Sequence, residues 1–252
     1  MRITVILLLA FLAYTAAGQK NIEETFSLEG NKEVDLSFKW PKLVRIQNWD
    51  GNTIKISGTV IINNGENNDA FRLRSKLLDN QVVITSDIEN IDELPKKIMI
   101  KRDGMSYYFN TQNWDDPEVQ KFLNKEGHRA NEYVTMGVIK EIQLDVYLPK
   151  GVSVVVNAKY GLVEVNNIAN TIEVNAKYGG IDMAFGTDKK KLEAKTRYGE
   201  IYSDLPFDLE SNQHDFHRND KWTIVSYKEG AGKAVLESKY GDVFLRQKRG
   251  GG

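Results

Sequence analysis

The sequence predicts an all-β chain, a β-solenoid or β-helix-like stack of coils of roughly 20 residues with a short helical insertion. Three observations carry this. A short phrase returns four times in the second half: Ala158-Lys159-Tyr160-Gly161, Ala176-Lys177-Tyr178-Gly179, Thr196-Arg197-Tyr198-Gly199 and Ser238-Lys239-Tyr240-Gly241, with tyrosines 18, 20 and 42 residues apart. Around every copy, small or apolar residues alternate with polar ones at period 2, the pattern of a strand with one buried face. Units this short cannot bury a core alone, so they must stack on their neighbours.

The N-terminus comes first. Arg2, the apolar run from Val5 to Tyr14 and the small residues Ala16-Ala17-Gly18 have the layout of a secretory signal peptide, residues 1–18, cleaved after Gly18. The run is too short to be a convincing membrane span. The expected location is therefore exported: periplasmic, cell-surface or secreted. Of 34 Lys and Arg, Arg2 leaves with the peptide, so 33 face 35 Asp and Glu and the mature net charge is −2. That balance gives no sign of a nucleic-acid partner. The absence of cysteine excludes disulfides, thiol chemistry and a lipid-acceptor Cys. With 41% hydrophobic and 27% charged residues, positions 19–245 suffice for a single domain with its own core, and no later stretch is apolar enough to span a membrane.

From Ile22 to Ile88 the alternation is strand-like: Phe26 and Leu28; Val34, Leu36 and Phe38; Val44 and Ile46; Ile54 and Ile56; Phe71 and Leu73; Val82 and Ile84. Turns are expected at Asn63-Asn64-Gly65 and Asp79-Asn80. Trp49, with Gly51 close behind it, reads as an early, imperfect copy of the tyrosine corner. Between Leu94 and Val138 the pattern breaks. Asp115-Asp116-Pro117-Glu118 followed by Val119, Phe122 and Leu123 signals a short helix, flanked by the aromatic cluster Tyr107-Tyr108-Phe109 and Trp114. This insertion reads either as a lid packed on the body or as a ligand site. Ile142, Leu144, Val146 and Leu148 then resume a strand that Pro149-Lys150-Gly151 closes. A polar loop at 211–220 and a disordered tail at 246–252 complete the organisation.

Alignment on the tyrosines makes each unit a strand, a glycine corner and a second strand. Stacking would place Val163, Ile181, Ile201 and Val243 in an internal aliphatic ladder. It would place Tyr160, Tyr178 and Tyr198 in an aromatic one, and Lys159, Lys177 and Arg197 in a basic one on the opposite face, about 4.8 Å apart. Tyrosine would fill a corner, with Gly161, Gly179, Gly199 and Gly241 supplying the backbone conformation the corner needs, or the tyrosines would be exposed to stack on sugar rings. Glu173, Glu193 and Glu237 stand near enough in sequence to neutralise the basic row.

These coils, following a signal peptide and the proline-ended run Val146-Tyr147-Leu148-Pro149, resemble the secreted β-strand-repeat "putative adhesin" family common in Bacteroidota. The resemblance runs from about Phe26 to Leu245 and is weakest in the insertion. It implies a β-solenoid in the cell envelope and carries over no catalytic residue.

The residues offer little chemistry of their own. His214-Asp215-Phe216-His217 places two imidazoles around a carboxylate, but in a polar loop with no third ligand. Asp115-Asp116 and the pair Asp87 and Glu89 lack the ligand spacing of a calcium loop. No metal, cofactor or catalytic residue is therefore assigned, and neither nucleophile-elbow nor phosphate-loop motifs occur. Glu164 and Asp182, with Lys159 and Lys177 near them in sequence, could serve a polysaccharide-cleaving enzyme. The preferred reading is a non-enzymatic envelope protein presenting an extended surface to a glycan or another envelope protein; the alternatives are that enzyme and a periplasmic regulatory or sensor domain with a membrane-protein partner. The candidate surface comprises Lys159, Lys177, Arg197 and Lys239, with Tyr107, Tyr108 and Trp114 as a second patch.

Overall fold

The computed structural model describes residues 18–78, 80–126, 133–166, 168, 171–186, 190–213 and 222–248. Residues 1–17, where the signal peptide is expected, the His214 to His217 run and residues 249–252 lie outside them. In chain order the elements are β1 (Lys20–Phe26), β2 (Glu33–Phe38), β3 (Leu43–Trp49), β4 (Ile54–Ile62), β5 (Phe71–Leu78), β6 (Gln81–Ile88), β7 (Lys97–Arg102), β8 (Met105–Phe109) and helix α1 (Pro117–Glu126). There follow β9 (Tyr133–Gly137), β10 (Lys140–Pro149), β11 (Ser153–Tyr160), β12 (Leu162–Asn166), β13 (Ile172–Tyr178), β14 (Ile181–Phe185) and β15 (Lys191–Thr196). The last are β16 (Ile201–Ser203), β17 (Glu210–Gln213), β18 (Thr223–Tyr227), β19 (Lys233–Ser238) and β20 (Val243–Gln247). The chain is thus mostly β. Two boundaries move from their expected places: Ser211 to Gln213 belong to β17, and β20 carries Arg246 and Gln247 in the sheet, paired with Ala184 and Phe185.

The strands form two large mixed sheets, in the orders β1-β4-β10-β3-β12-β14-β20-β16 and β17-β18-β15-β19-β13-β11-β2-β6-β5. Every Tyr-Gly unit sends its first strand to the second of these sheets and its second strand to the first. The period-2 alternation explains why. Val154, Val156, Ile172, Val174, Leu192, Ala194, Ala234 and Leu236 turn inward from one sheet, and Val163, Val165, Ile181, Met183, Val243 and Leu245 from the other, and all belong to one buried cluster.

The order of the units departs from the sequence. β13 pairs with β19, not β15, and β19 pairs with β15 on its other side, all parallel; β20 likewise lies between β14 and β16. The fourth copy therefore sits between the second and the third. The long final interval also holds the antiparallel strands β17 and β18, of which β18 pairs with β15 and β17 lies beyond it. At the other end the unit next to Tyr160 is β2 and β3, whose corner is Lys39-Trp40-Pro41; Phe38 is in register with Ala158. Trp40, not Trp49, occupies the tyrosine's place. Trp49 covers its own turn, its indole N–H donating to the Thr53 carbonyl at 2.9 Å.

The corner glycines are needed for space more than for dihedral angle. Only Gly161 of the four has a positive φ. A Cβ on Gly179 would overlap the carbonyl of Gly161, one on Gly241 the carbonyl of Gly179, and one on Gly199 the carbonyl of Gly241. The four glycines are a ladder of backbone packed on backbone. Where the small residue before the corner is hydroxylated, it ties neighbouring corners together. Ser238 Oγ donates to the Gly179 carbonyl at 2.9 Å and accepts from the Gly241 N–H at 2.9 Å, and Thr196 Oγ1 donates to the Gly241 carbonyl at 2.8 Å.

The insertion holds more order than its sequence pattern suggests. β7 pairs with β8 and β9 in a three-stranded antiparallel sheet, and Asp103-Gly104 turns β7 into β8. α1 starts where expected: Asp116 accepts the Glu118 N–H at 2.9 Å, and Pro117 takes the first helical position. Val119, Ile98, Ile100 and Phe109 make its small core. Its base is pinned by Asn63, fully buried, which donates to the Pro95 carbonyl at 2.8 Å and accepts the Ile139 N–H at 3.0 Å. Buried Lys97 adds an ion pair to Glu66 at 2.7 Å.

Candidate functional site

The repeated corners build a composite surface along one edge. Parallel register carries each aromatic residue beside the next, so Trp40, Tyr160, Tyr178, Tyr240 and Tyr198 stack in that spatial order. Successive centroids are 5.6, 5.4, 5.2 and 5.0 Å apart and the planes lie within 16° of parallel. The spacing follows from the strand separation beneath it. The tyrosines face outward: Tyr160 is 37% exposed and Tyr198, at the far end, 57%.

A ring with a neighbour stacked on each side keeps no free face for a ligand ring. Tyr160, Tyr178 and Tyr240 therefore offer edges and hydroxyls, so sugars cannot stack along the row. Trp40 ends the row with Tyr160 against it and the ammonium groups of Lys39 and Lys140 at 4.6 and 4.9 Å from its ring centroid. Burial pushes the Lys140 amine below the usual lysine range.

The basic row runs beside the aromatic row rather than on an opposite face. Lys159, Lys177, Lys239 and Arg197 lie 5.2, 5.0, 5.3 and 5.2 Å from the centroids of the tyrosines that follow them. These are cation–π distances. Lys239 separates Lys177 from Arg197, and Lys39 extends the row to five cations. Among the described residues none of the five has a carboxylate within ion-pair distance. The expected neutralisation fails for local reasons: Glu237 pairs with Lys195 at 2.8 Å, and Glu173 accepts from the Asn175 amide at 3.0 Å.

One step inward runs an amide row. Asn175 Nδ2 donates to Asn157 Oδ1 at 3.1 Å, and Asn157 Nδ2 donates to Asp35 Oδ1 at 3.3 Å. Between this row and Lys159, Lys177 and Lys239 lies an open groove of about 360 Å³. Sequence reasoning missed the amides, although Asn157 and Asn175 stand at the same place in two copies of the phrase.

Glu164 and Asp182 are neighbours in register, but each is engaged: Glu164 by Arg45 at 3.0 Å and Asp182 by Arg246 at 2.8 Å. Lys159 and Lys177 belong to the other sheet, so the four do not form one cluster. Burial raises the Asp182 carboxyl above the ordinary range, assisted by Glu164 and opposed by Arg246. A carboxyl raised in the folded state costs stability once pH exceeds its unfolded value, and the cost is absent below that value. Asp182→Asn should therefore be neutral or slightly stabilising at pH 7. Its difference from wild type should shrink as pH falls below about 4, as melting temperature against pH will show. A clear loss at pH 7 would mean that the Arg246 pair outweighs burial.

The second patch is divided. Tyr108 fastens the insertion to the body, its hydroxyl donating to Glu141 Oε1 at 2.6 Å; burial and this bond raise its pKa. Tyr107 packs on Phe122 of α1 at 4.6 Å. Trp114 is 38% exposed and precedes the helix. An open cleft lined by Tyr107, Tyr108, Phe109 and Phe122, with Glu118 and Lys121, lies beside them. Among the described residues no group of three His, Asp or Glu is placed to hold a metal, and no helix is long and apolar enough to cross a membrane.

No protein-family model and no curated protein matches the chain. Solved structures do. A putative cell adhesion protein from Clostridium sporogenes is 10% identical, with 91% of this chain and 100% of that chain covered at a TM-score of 0.48. A putative adhesin from Bacteroides fragilis is also 10% identical, with 90% and 97% covered at a TM-score of 0.28. Likenesses this distant leave the functional reading to the surface itself.

Proposed function

We propose that the chain is an exported, non-enzymatic β-repeat protein, a solenoid-like stack of coils, whose corner edge is an adhesin-like binding surface for an anionic partner. One observation supports this above the others: five cations in consecutive register, with no carboxylate paired to them among the described residues, beside a row of outward phenols. Like charges one strand apart repel. A face kept only for solubility would mix signs, as the outer face of the other sheet does with Arg45, Glu164, Asp182 and Arg246. Retaining the repulsion is accounted for if a partner neutralises it. Each contact is weak when exposed, so affinity comes from several acting together.

The test uses dextran sulfate and neutral dextran against wild type and a Lys159→Gln, Lys177→Gln, Lys239→Gln triple variant, which removes three adjacent charges. Wild type should bind the sulfated polymer alone and lose affinity steeply with salt, because screening acts over about 8 Å at physiological ionic strength. The triple variant should melt like wild type and bind roughly tenfold more weakly. Equal binding by both proteins would exclude the corner edge and direct attention to the cleft around Tyr107 and Phe122.

A further inference from the structure

We infer that the polymer this edge takes is an acidic polysaccharide with a carboxylate on each sugar unit. It lies across the strands, with its carboxylates on the lysine row and its hydroxyls on the Asn157 and Asn175 row. The inference rests on the anion-binding reading above and adds the chemistry of the ligand.

Four features converge on it. The cations stand on successive strands, about 4.8 Å apart at the backbone, a step on the scale of one six-membered ring; phosphates of a stacked nucleic-acid strand recur at a shorter step, about 3.4 Å along the helix axis. The three inner rings cannot receive nucleobases. Single-strand binding proteins depend on aromatic faces on which bases stack, whereas Tyr160, Tyr178 and Tyr240 are stacked on both sides. What the edge presents instead is hydroxyls and amides. The phenols of Tyr160, Tyr178, Tyr240 and Tyr198 have no hydrogen-bond partner among the described residues; the amide N–H groups are spent on Asp35, Ser37, Asn157 and Glu173, so the amide row offers carbonyl oxygens, which suit sugar hydroxyls as donors. Finally, the groove is asymmetric. Amides line one side and Lys159, Lys177 and Lys239 the other, and Asp35 stands at one end of the amide row and Glu237 near the opposite end. A carboxylate is thereby repelled from the amide side and drawn to the lysine side. The groove's volume of about 360 Å³ lies at the small end of ligand sites, enough for a few sugar units and not for a duplex.

The experiment compares polygalacturonate, inorganic polyphosphate and a deoxythymidine oligomer, matched in total charge, by calorimetry at two salt concentrations. It uses wild type, the lysine triple variant and an Asn157→Ala, Asn175→Ala double variant. Polygalacturonate should bind wild type most tightly, the amide variant should weaken it roughly tenfold while leaving polyphosphate unchanged, and the lysine variant should weaken both. Should the amide variant melt early, Asn175→Ser, which keeps a donor and acceptor, should restore folding and intermediate affinity. If the amide variant weakens neither polymer while the lysine variant weakens both, the edge reads charge alone: the inference falls and the anion-binding reading stands. Equal or tighter binding of the deoxythymidine oligomer overturns it in favour of nucleic acid. If the lysine variant changes nothing, the inference and the reading beneath it fall together.

Discussion

Gly179→Ala should cost the protein about 3 to 5 kcal/mol, far more than a surface glycine normally commands. The added methyl would meet the carbonyl of Gly161, and a backbone atom inside a parallel ladder cannot step aside as a side-chain tip can. The damage would pass along the row, because Gly241 rests on Gly179 and Gly199 on Gly241. Gly30→Ala is the control. Gly30 has φ 82° and open space around it, so its substitution strains only the local backbone, by about 1 kcal/mol. Urea titrations of the two variants decide the matter: equal losses would show that the corners tolerate separation and that close approach is not what selects glycine.

The second large effect concerns phase. Ile181 is fully buried in the common core, flanked in register by Val163 and Val243, while the next residue, Asp182, points outward to Arg246. Ile181→Asp would bury a carboxylate with no partner, and the expected cost is several kcal/mol or loss of the fold. Asp182→Ala removes one partly exposed pair and should change stability by less than about 1 kcal/mol. Thermal melts of the two variants side by side test the inward and outward assignment of the whole strand, since a slip of one residue would exchange their roles.

The strands were legible in the sequence because their evidence is local. Val154, Val156 and Ala158, or Ile172, Val174 and Ala176, announce both the period and the buried face. The order of the units was not, because a parallel partner is chosen by fit between surfaces far apart in the chain, and nothing near Tyr240 records that its neighbours are Tyr178 and Tyr198. Trp40 was obscured by its setting. Lys39-Trp40-Pro41 keeps the cation and the ring but replaces glycine with proline, and Lys42 adds one residue before the next strand, whereas Trp49 with Gly51 imitated the phrase by composition alone. In the insertion the hairpin is written locally: Asp103-Gly104 between Ile98, Ile100 and Tyr107, Phe109 is among the commonest forms of a tight hairpin turn. At the candidate site, the cations and tyrosines were identifiable from their recurrence. Their adjacency on one edge, which makes the surface, depends on how the side chains turn at the corner.

The placement of β19 and β20 bears on when the molecule can be completed. A coil stack laid down in sequence order could wind up during synthesis, each new turn closing on the last. Here β15 and β16 leave the ribosome with no place beside β13 and β14, since those positions belong to the final strands. Until residues 233–247 emerge, the segment containing β15 to β18 has nothing to close against in either large sheet, and its edges stay open. The C-terminal unit acts as a keystone, joined on both sides, and its entry brings together partners with loop-closure costs paid late. A chain that ends before Lys233 would therefore lose more than its last two strands: the corner edge would stop at Tyr178, and Tyr198 and Arg197 would be cut off from the row they terminate.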